Sequence, residues 1–349
     1  MSDQSPKRSR PKVVFMALVG TTLVAFGAAE AYLRFFDPVD YLRPPDSSQA
    51  DDWRNLLHRK SEVVGLAYEL TPSVEKFAQK VDIKTNSHGM RDAEPRELDA
   101  DTSSRIVALG DSFTFGFGAA GEDVWPMQLE RMLDALGLNK NRPLDVLNFG
   151  VGGYGTIDES LVLKHKAMAW EPDLVVLAYF LNDPEDEPIQ PLHAHHVVPS
   201  WWQYSHLMRL GHRNLKQNEM RELGGGDYHR YLHAHEGKWA GVVQALNDMR
   251  RVTSEAGCEM ILMIFPQTPK QKWEGYKYED LHSKVTEAGK EAGMHVIDLL
   301  PKYKQHAPPK LRVSKTDGHP NAKGHQVAAR VLSNYLKLHP ELLLSESER

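Results

Sequence analysis

The chain has 349 residues, 41% hydrophobic and 26% charged, enough for one large core or one core plus an elaboration. A formal net charge of −5 gives no electrostatic case for nucleic acid. The single cysteine, Cys258, has no intrachain partner, so cysteine usage neither requires nor opposes export.

The first element is apolar. Lys7, Arg8, Arg10 and Lys12 precede Val13 to Ala29, seventeen residues without a charge. A helix of that length rises about 25 Å, near the lower limit for spanning a bilayer. The basic residues before it, with Asp37, Asp40, Asp46, Asp51 and Asp52 after it, favour a cytosolic N-terminus and an exterior remainder. A cleaved signal peptide is the rival, since Gly27-Ala28-Ala29 and Ala29-Glu30-Ala31 space small residues usably. The stretch is longer than most signal cores, and Tyr32, Phe35 and Phe36 suit an interfacial anchor. Residues 1–36 are therefore read as a cytosolic basic tail and uncleaved anchor. No cysteine lies near enough to carry a lipid. Residues 37–62, with Pro38, Pro44 and Pro45 among polar residues, read as a linker.

Strand-helix alternation then runs through 105–112, 125–137, 144–151, 157–169, 173–182, 238–256, 258–266, 277–293, 294–300 and 323–337. Five strands separated by helices predict an α/β domain, a parallel sheet between helical layers, over residues 63–340. Cys258 opens the apolar run Met260 to Phe265 and reads as core. Residues 341–349 read as a polar tail.

Four segments carry chemistry. Ile106-Val107-Ala108-Leu109-Gly110-Asp111-Ser112 is an apolar strand delivering a serine to the C-terminal edge of a sheet, where open α/β folds build their sites. Val146-Leu147-Asn148-Phe149-Gly150-Val151-Gly152-Gly153 runs a second strand into glycines that admit close backbone approach. Leu174 to Asp183 ends a third strand in Asn182-Asp183, and Asp317-Gly318-His319-Pro320-Asn321 precedes a helical stretch. Singly, each has a bland reading as a turn, a loop start or a helix cap. Together and in this order they resemble the SGNH (GDSL-type) hydrolases, from about residue 84 to 337.

The resemblance implies a three-layer α/β/α fold with a flavodoxin-like five-stranded parallel sheet. It also implies a nucleophile, Ser112, a base, His319, and an orienting carboxylate, Asp317. A serine needs such a base, and the base a partner, because its hydroxyl is a poor nucleophile at its free pKa. The implied oxyanion donors are the Ser112 and Gly153 N–H groups and the Asn182 amide. No cofactor or metal is called for. Asp111 reads as a turn-stabilising acid. Asp82 to Asp92 looks like the extended lead-in of membrane-tethered members. Two departures stand out. Phe180 occupies the usual glycine of the third block, and Asp317 lies two residues before His319 rather than three, where Thr316 stands. His325 is the competing base, expected on the surface one to two turns into the last helix.

Residues 184–237 interrupt the alternation, and long connections of this kind are usually functional or mobile. This one holds His193, His195, His196, His206, His212, His229, His233 and His235, with Trp201, Trp202 and Tyr204. Its histidine spacing matches no metal-ligand motif, and no paired carboxylate accompanies it. A polar surface excursion beside the active-site mouth is expected, with aromatic residues able to stack on sugar rings. The resulting expectation is a membrane-anchored, extracytoplasmic serine esterase acting on short O-acyl esters of a small molecule or glycan. An O-acyltransferase and a non-catalytic glycan-binding protein are the alternatives.

Overall fold

The computed structural model describes residues 10–44, 53–96, 103–137, 143–186 and 199–343. Its first helix, α1 (Arg10–Phe36), is long and apolar enough to cross a membrane, and large side chains from Val13 to Phe26 are exposed along it. Lys7 and Arg8 lie outside the described residues.

The stretch read as a linker is structured at its end. α2 (Trp53–Leu57) runs into β1 (His58–Lys60), which pairs antiparallel with β2 (Tyr68–Leu70). Leu57 is fully buried in one cluster with Leu66, Tyr68 and Leu70, so packing against the core begins before residue 63. A second hairpin joins β3 (Glu75–Ala78) to β4 (Val81–Lys84).

The central sheet contains β5 (Ser104–Gly110), β6 (Leu144–Asn148), β7 (Leu174–Tyr179), β8 (Glu259–Ile264) and β9 (His295–Asp298). They lie parallel in the order β6-β5-β7-β8-β9, the flavodoxin-like arrangement. Its helices are α3 (Ser112–Phe115), α4 (Trp125–Leu136), α5 (Thr156–His165), α6 (His206–Gly224), α7 (Tyr228–Ala234), α8 (Glu236–Glu255), α9 (Glu279–Glu291), α10 (Leu300–Tyr303) and α11 (Ala322–Leu338).

Both sheet faces are covered, which is why these strands read as apolar runs. Val107 and Leu109 of β5 point into a core shared with Leu163 of α5, Leu246 of α8 and Val285 of α9. Ile106 and Ala108 point the other way, against Leu129 of α4 and Leu332 of α11. Cys258 is buried in the first core. Leu342 and Leu343 are buried in the second, so the start of the expected polar tail belongs to the fold.

The insertion departs from a surface excursion. His193, His195 and His196 lie outside the described residues. Beyond them, α7 buries Tyr231, Leu232 and His233. His229 Nδ1 lies 3.1 Å from Leu181 O, and His233 Nε2 lies 2.9 Å from the Tyr179 hydroxyl. This helix thus packs over the C-terminal end of β7. Trp201, Trp202 and Tyr204 lie in a short turn bonded to the end of α1, and Trp202 stacks on His212. None of the three lines the depression beside Ser112.

Candidate active site

Strand β5 stops at Gly110, and Asp111 caps the one-turn helix α3 by accepting from Phe113 N at 2.8 Å. That sharp turn leaves Ser112 at the first helical position, above the sheet edge. Its Oγ lies 2.9 Å from His319 Nε2 and 3.2 Å from Asp111 Oδ2. His319 Nδ1 lies 2.7 Å from Asp317 Oδ1, which also accepts the His319 backbone N–H at 2.9 Å. The two-residue spacer therefore closes as an Asx-type turn on the same residue it orients. With Nδ1–H donating to Asp317, Nε2 is free to accept the Ser112 hydroxyl proton.

Burial alone would raise the Asp317 pKa, but the bonds from His319 and the nearby Arg312 charge hold it below the ordinary carboxylate range. Its loop is braced. Arg312 is buried and donates to Thr268 O and Ser314 O, and Val313 N donates to His319 O at 2.9 Å. The rings of Phe113 and Phe117 lie 5.3 and 4.8 Å from the imidazole. Phe180, at the position usually held by glycine, stacks on Phe113 with centroids 3.9 Å apart. The two form one wall of a depression completed by Gln267, Thr316, Asp317, Gly318 and His319.

The second block comes up tightly behind the serine. A Cβ on Gly150 would stand 2.2 Å from Phe115 N, so only glycine fits there. Gly153 has φ +87°, a left-handed conformation that glycine adopts without strain. Among the described residues, no acceptor is paired with the N–H of Ser112 or Gly153. Asn182 stands close enough to Asp111 to offset part of the rise that burial gives that carboxyl's pKa, which places its side chain beside the site.

The competing base is placed differently from the expectation. His325 lies in the first turn of α11 and is fully buried rather than on the surface. Its Nδ1 accepts from Trp125 N at 3.3 Å, and burial lowers its pKa to about 3. The amphipathic face of α11 explains this, because that face packs on α4.

Several supporting residues escaped the sequence reading. Arg91, at the end of the lead-in, donates to the carbonyls of Phe115 (2.8 Å), Gly116 (2.6 Å) and Ala119 (2.7 Å), closing the C-terminal end of α3. The Asn148 side chain donates through Nδ2 to Arg91 O and Thr114 O while its Oδ1 accepts from Gly150 N. Asp92 accepts from Asn148 N, and burial pushes its pKa up to about 7. Arg91 and Asp92 lie within the lead-in and Asn148 within the second block, but nothing in the sequence singled out their roles. Among the described residues, no three His, Cys, Asp or Glu side chains group as a metal site.

Within electrostatic reach of Asp111 lie two carboxyls, Glu159 and Asp183, each 1% exposed and, among the described residues, with no hydrogen-bond partner on either oxygen. Burial first, then the negative charges of Asp111 and Asp158, raises Glu159; burial, Glu159 and Asp111 raise Asp183. A raised carboxyl favours folding at low pH, and that contribution is lost as pH rises from the unfolded value of about 4 through the folded one. Glu159→Gln, which removes one titration at constant shape, should therefore flatten the fall in Tm on the alkaline side. A Tm-against-pH curve superimposable on the wild type would show that Glu159 titrates alike in the folded and unfolded states, with no upward shift on burial.

With this geometry in hand, residues 108–327 match the GDSL-like lipase/acylhydrolase family, more than half of the chain. The chain belongs to that family. It is an ester hydrolase of the SGNH type. Similar solved structures include a putative lipolytic protein of the G-D-S-L family from Desulfitobacterium hafniense, 17% identical, covering 66% of this chain and 99% of that one at TM-score 0.40. TesA is 15% identical, covering 67% of this chain and 99% of its own at TM-score 0.44. Axe2, an acetylxylan esterase from Geobacillus stearothermophilus, is 17% identical, covering 68% and 95% at TM-score 0.42. No curated protein sequence matches.

Proposed function

We propose that the chain is a membrane-anchored, extracytoplasmic serine esterase that cleaves short O-acyl esters, on envelope or secreted glycans, through an acyl-enzyme on Ser112. The observation that carries this reading is the pair of contacts at 2.9 and 2.7 Å linking Ser112 to His319 and His319 to Asp317.

In the first half-reaction Ser112 Oγ attacks the acyl carbon while His319 Nε2 takes the hydroxyl proton. The resulting imidazolium is stabilised by Asp317, and the oxyanion is met by the N–H groups of Ser112 and Gly153 and the Asn182 amide. Collapse expels the alcohol, which leaves with the proton from Nε2. Water then attacks the ester carbonyl of the acyl-enzyme, giving its proton to the same nitrogen, and collapse returns that proton to Ser112 Oγ as the acyl C–O bond breaks and the acid leaves.

The stacked pair Phe113–Phe180 crowds the side of the depression, which favours a short acyl group. The depression is otherwise bordered by the exposed Thr316 and the half-buried Gly318, which suits hydrolysis. A transferase needs an acceptor site that keeps water out.

The test measures acetate release from an acetylated glycan with and without a second glycan acceptor, and compares p-nitrophenyl acetate with octanoate. Free acetate should dominate in both conditions, and the acetyl ester should turn over faster than the octanoyl one. Acyl transfer exceeding acetate release would favour the transferase, and a preference for octanoate would remove the short-acyl assignment.

A further inference from the structure

The apolar helix does not end in a free tether. Near its C-terminal end the Glu30 carboxylate accepts from the backbone N–H groups of His206 (3.0 Å) and Leu207 (2.9 Å) and from the Ser205 hydroxyl (2.9 Å). An acidic side chain on α1 thus caps α6, satisfying donors that a helix N-terminus leaves orphaned. One turn on, Arg34 bonds Glu30 and donates to Tyr204 O at 3.1 Å. Past the helix, Val39 N donates to His206 Nδ1 and Gln203 donates to Leu42 O, with Leu33 and Val39 buried. The part of the insertion from Ser200 to His212 is therefore a receptacle for the end of α1.

Around this clamp the surface is aromatic. Tyr32, Phe35 and Phe36 of α1 are 59%, 75% and 77% exposed, and Trp201 and Tyr204 of the turn bonded to Arg34 are 75% and 59% exposed. Five exposed aromatic rings are costly in water. Gathered where an apolar helix ends, they have the composition of a membrane–water interface, where amphipathic rings sit at headgroup level.

We propose that the end of α1 and the turn at 201–204 form one foot, embedded in the interfacial zone of the bilayer that α1 spans. The proposal rests on reading α1 as an uncleaved anchor. The foot seats the hydrolase domain on the lipid surface in a fixed orientation instead of leaving it to swing on a linker. The same insertion carries that orientation to the site. From α6 it passes into α7, whose His229 contacts Leu181 O and stands 5.7 Å from Phe180, a wall of the depression.

The test uses the full-length protein in phosphatidylcholine vesicles, with lipids brominated near the headgroup end of the acyl chains as quenchers of tryptophan emission. The contribution of Trp201, taken as wild type minus Trp201→Phe, should lose more than half its intensity. Glu30→Ala, which opens the clamp, should reduce that loss while leaving the protein resistant to carbonate extraction. Unquenched Trp201 in a carbonate-resistant protein would overturn the foot and leave the anchor standing. Extraction of the wild type by carbonate would overturn the anchor reading and the foot with it.

Discussion

Ser112→Ala should lower kcat for p-nitrophenyl acetate by about 10⁶-fold, the scale on which serine proteases lose activity with their nucleophile. The substitution removes one hydroxyl with two contacts, to His319 Nε2 and Asp111 Oδ2. The bonds that build the turn are untouched, because Asp111 Oδ1 still receives Phe113 N and Asp111 O still receives Thr114 N and Phe115 N. Tm should accordingly stay close to that of the wild type, and labelling by a fluorophosphonate should disappear. Equal labelling of the variant and the wild type would mean that another group carries the acyl chain. Any residual rate in the variant reports what the oxyanion donors and substrate binding supply without covalent chemistry.

Strands β5 to β8 were legible because they are buried on both faces and so run apolar to a punctuated end, whereas the flavodoxin-like arrangement of the sheet came from the family resemblance. Gly110-Asp111, Gly150 and Asn182-Asp183 mark those ends in the sequence as they do in the fold. The pairing of α1 with the insertion was not legible. It joins Glu30 to residues 205–207 through a carboxylate and three donors, a contact that no periodicity encodes. The burial of α7 was hidden for a similar reason. Its His229 and His233 look polar, and the nearness of Leu181 O and Tyr179, with His229 O beside the His233 ring, gives them partners that make burial tolerable.

Around the site, the residues that touch Ser112 belong to sequence blocks with glycine or helix punctuation, whereas the two arginines that brace it do not. Arg91 caps α3 from a segment without chemistry of its own, and Arg312 fixes the last loop from seven residues before His319. Glu159 reads as one more acidic residue in a helix. It becomes unusual only when the fold buries it and offers, among the described residues, no hydrogen-bond partner.

Asp317→Asn and His325→Ala separate the two candidate bases. Asp317 Oδ1 accepts both the backbone N–H and the ring Nδ1–H of His319. An asparagine can keep the turn by accepting from the backbone, but its NH₂ presented to Nδ1 would favour the tautomer with the proton on Nε2. That nitrogen would then face the Ser112 hydroxyl as a donor and could not act as a base. The expected loss is about 10⁴-fold in kcat, the size seen when the same change is made in a serine protease triad. His325 is held neutral by burial, and its Nδ1 already serves Trp125 N. A histidine depressed from 6.5 to about 3 contributes stability that is present above pH 6.5 and lost as pH falls toward 3. His325→Ala should therefore lower Tm at neutral pH by opening a cavity between α4 and α11, and it should also soften the acid limb of the stability curve. Per folded molecule, counted by fluorophosphonate titration, its kcat should stay within about threefold of the wild type, a shift of less than 1 kcal/mol. A large loss of kcat per titrated site in His325→Ala, beside a mild one in His319→Ala, would transfer the role of base to the buried residue.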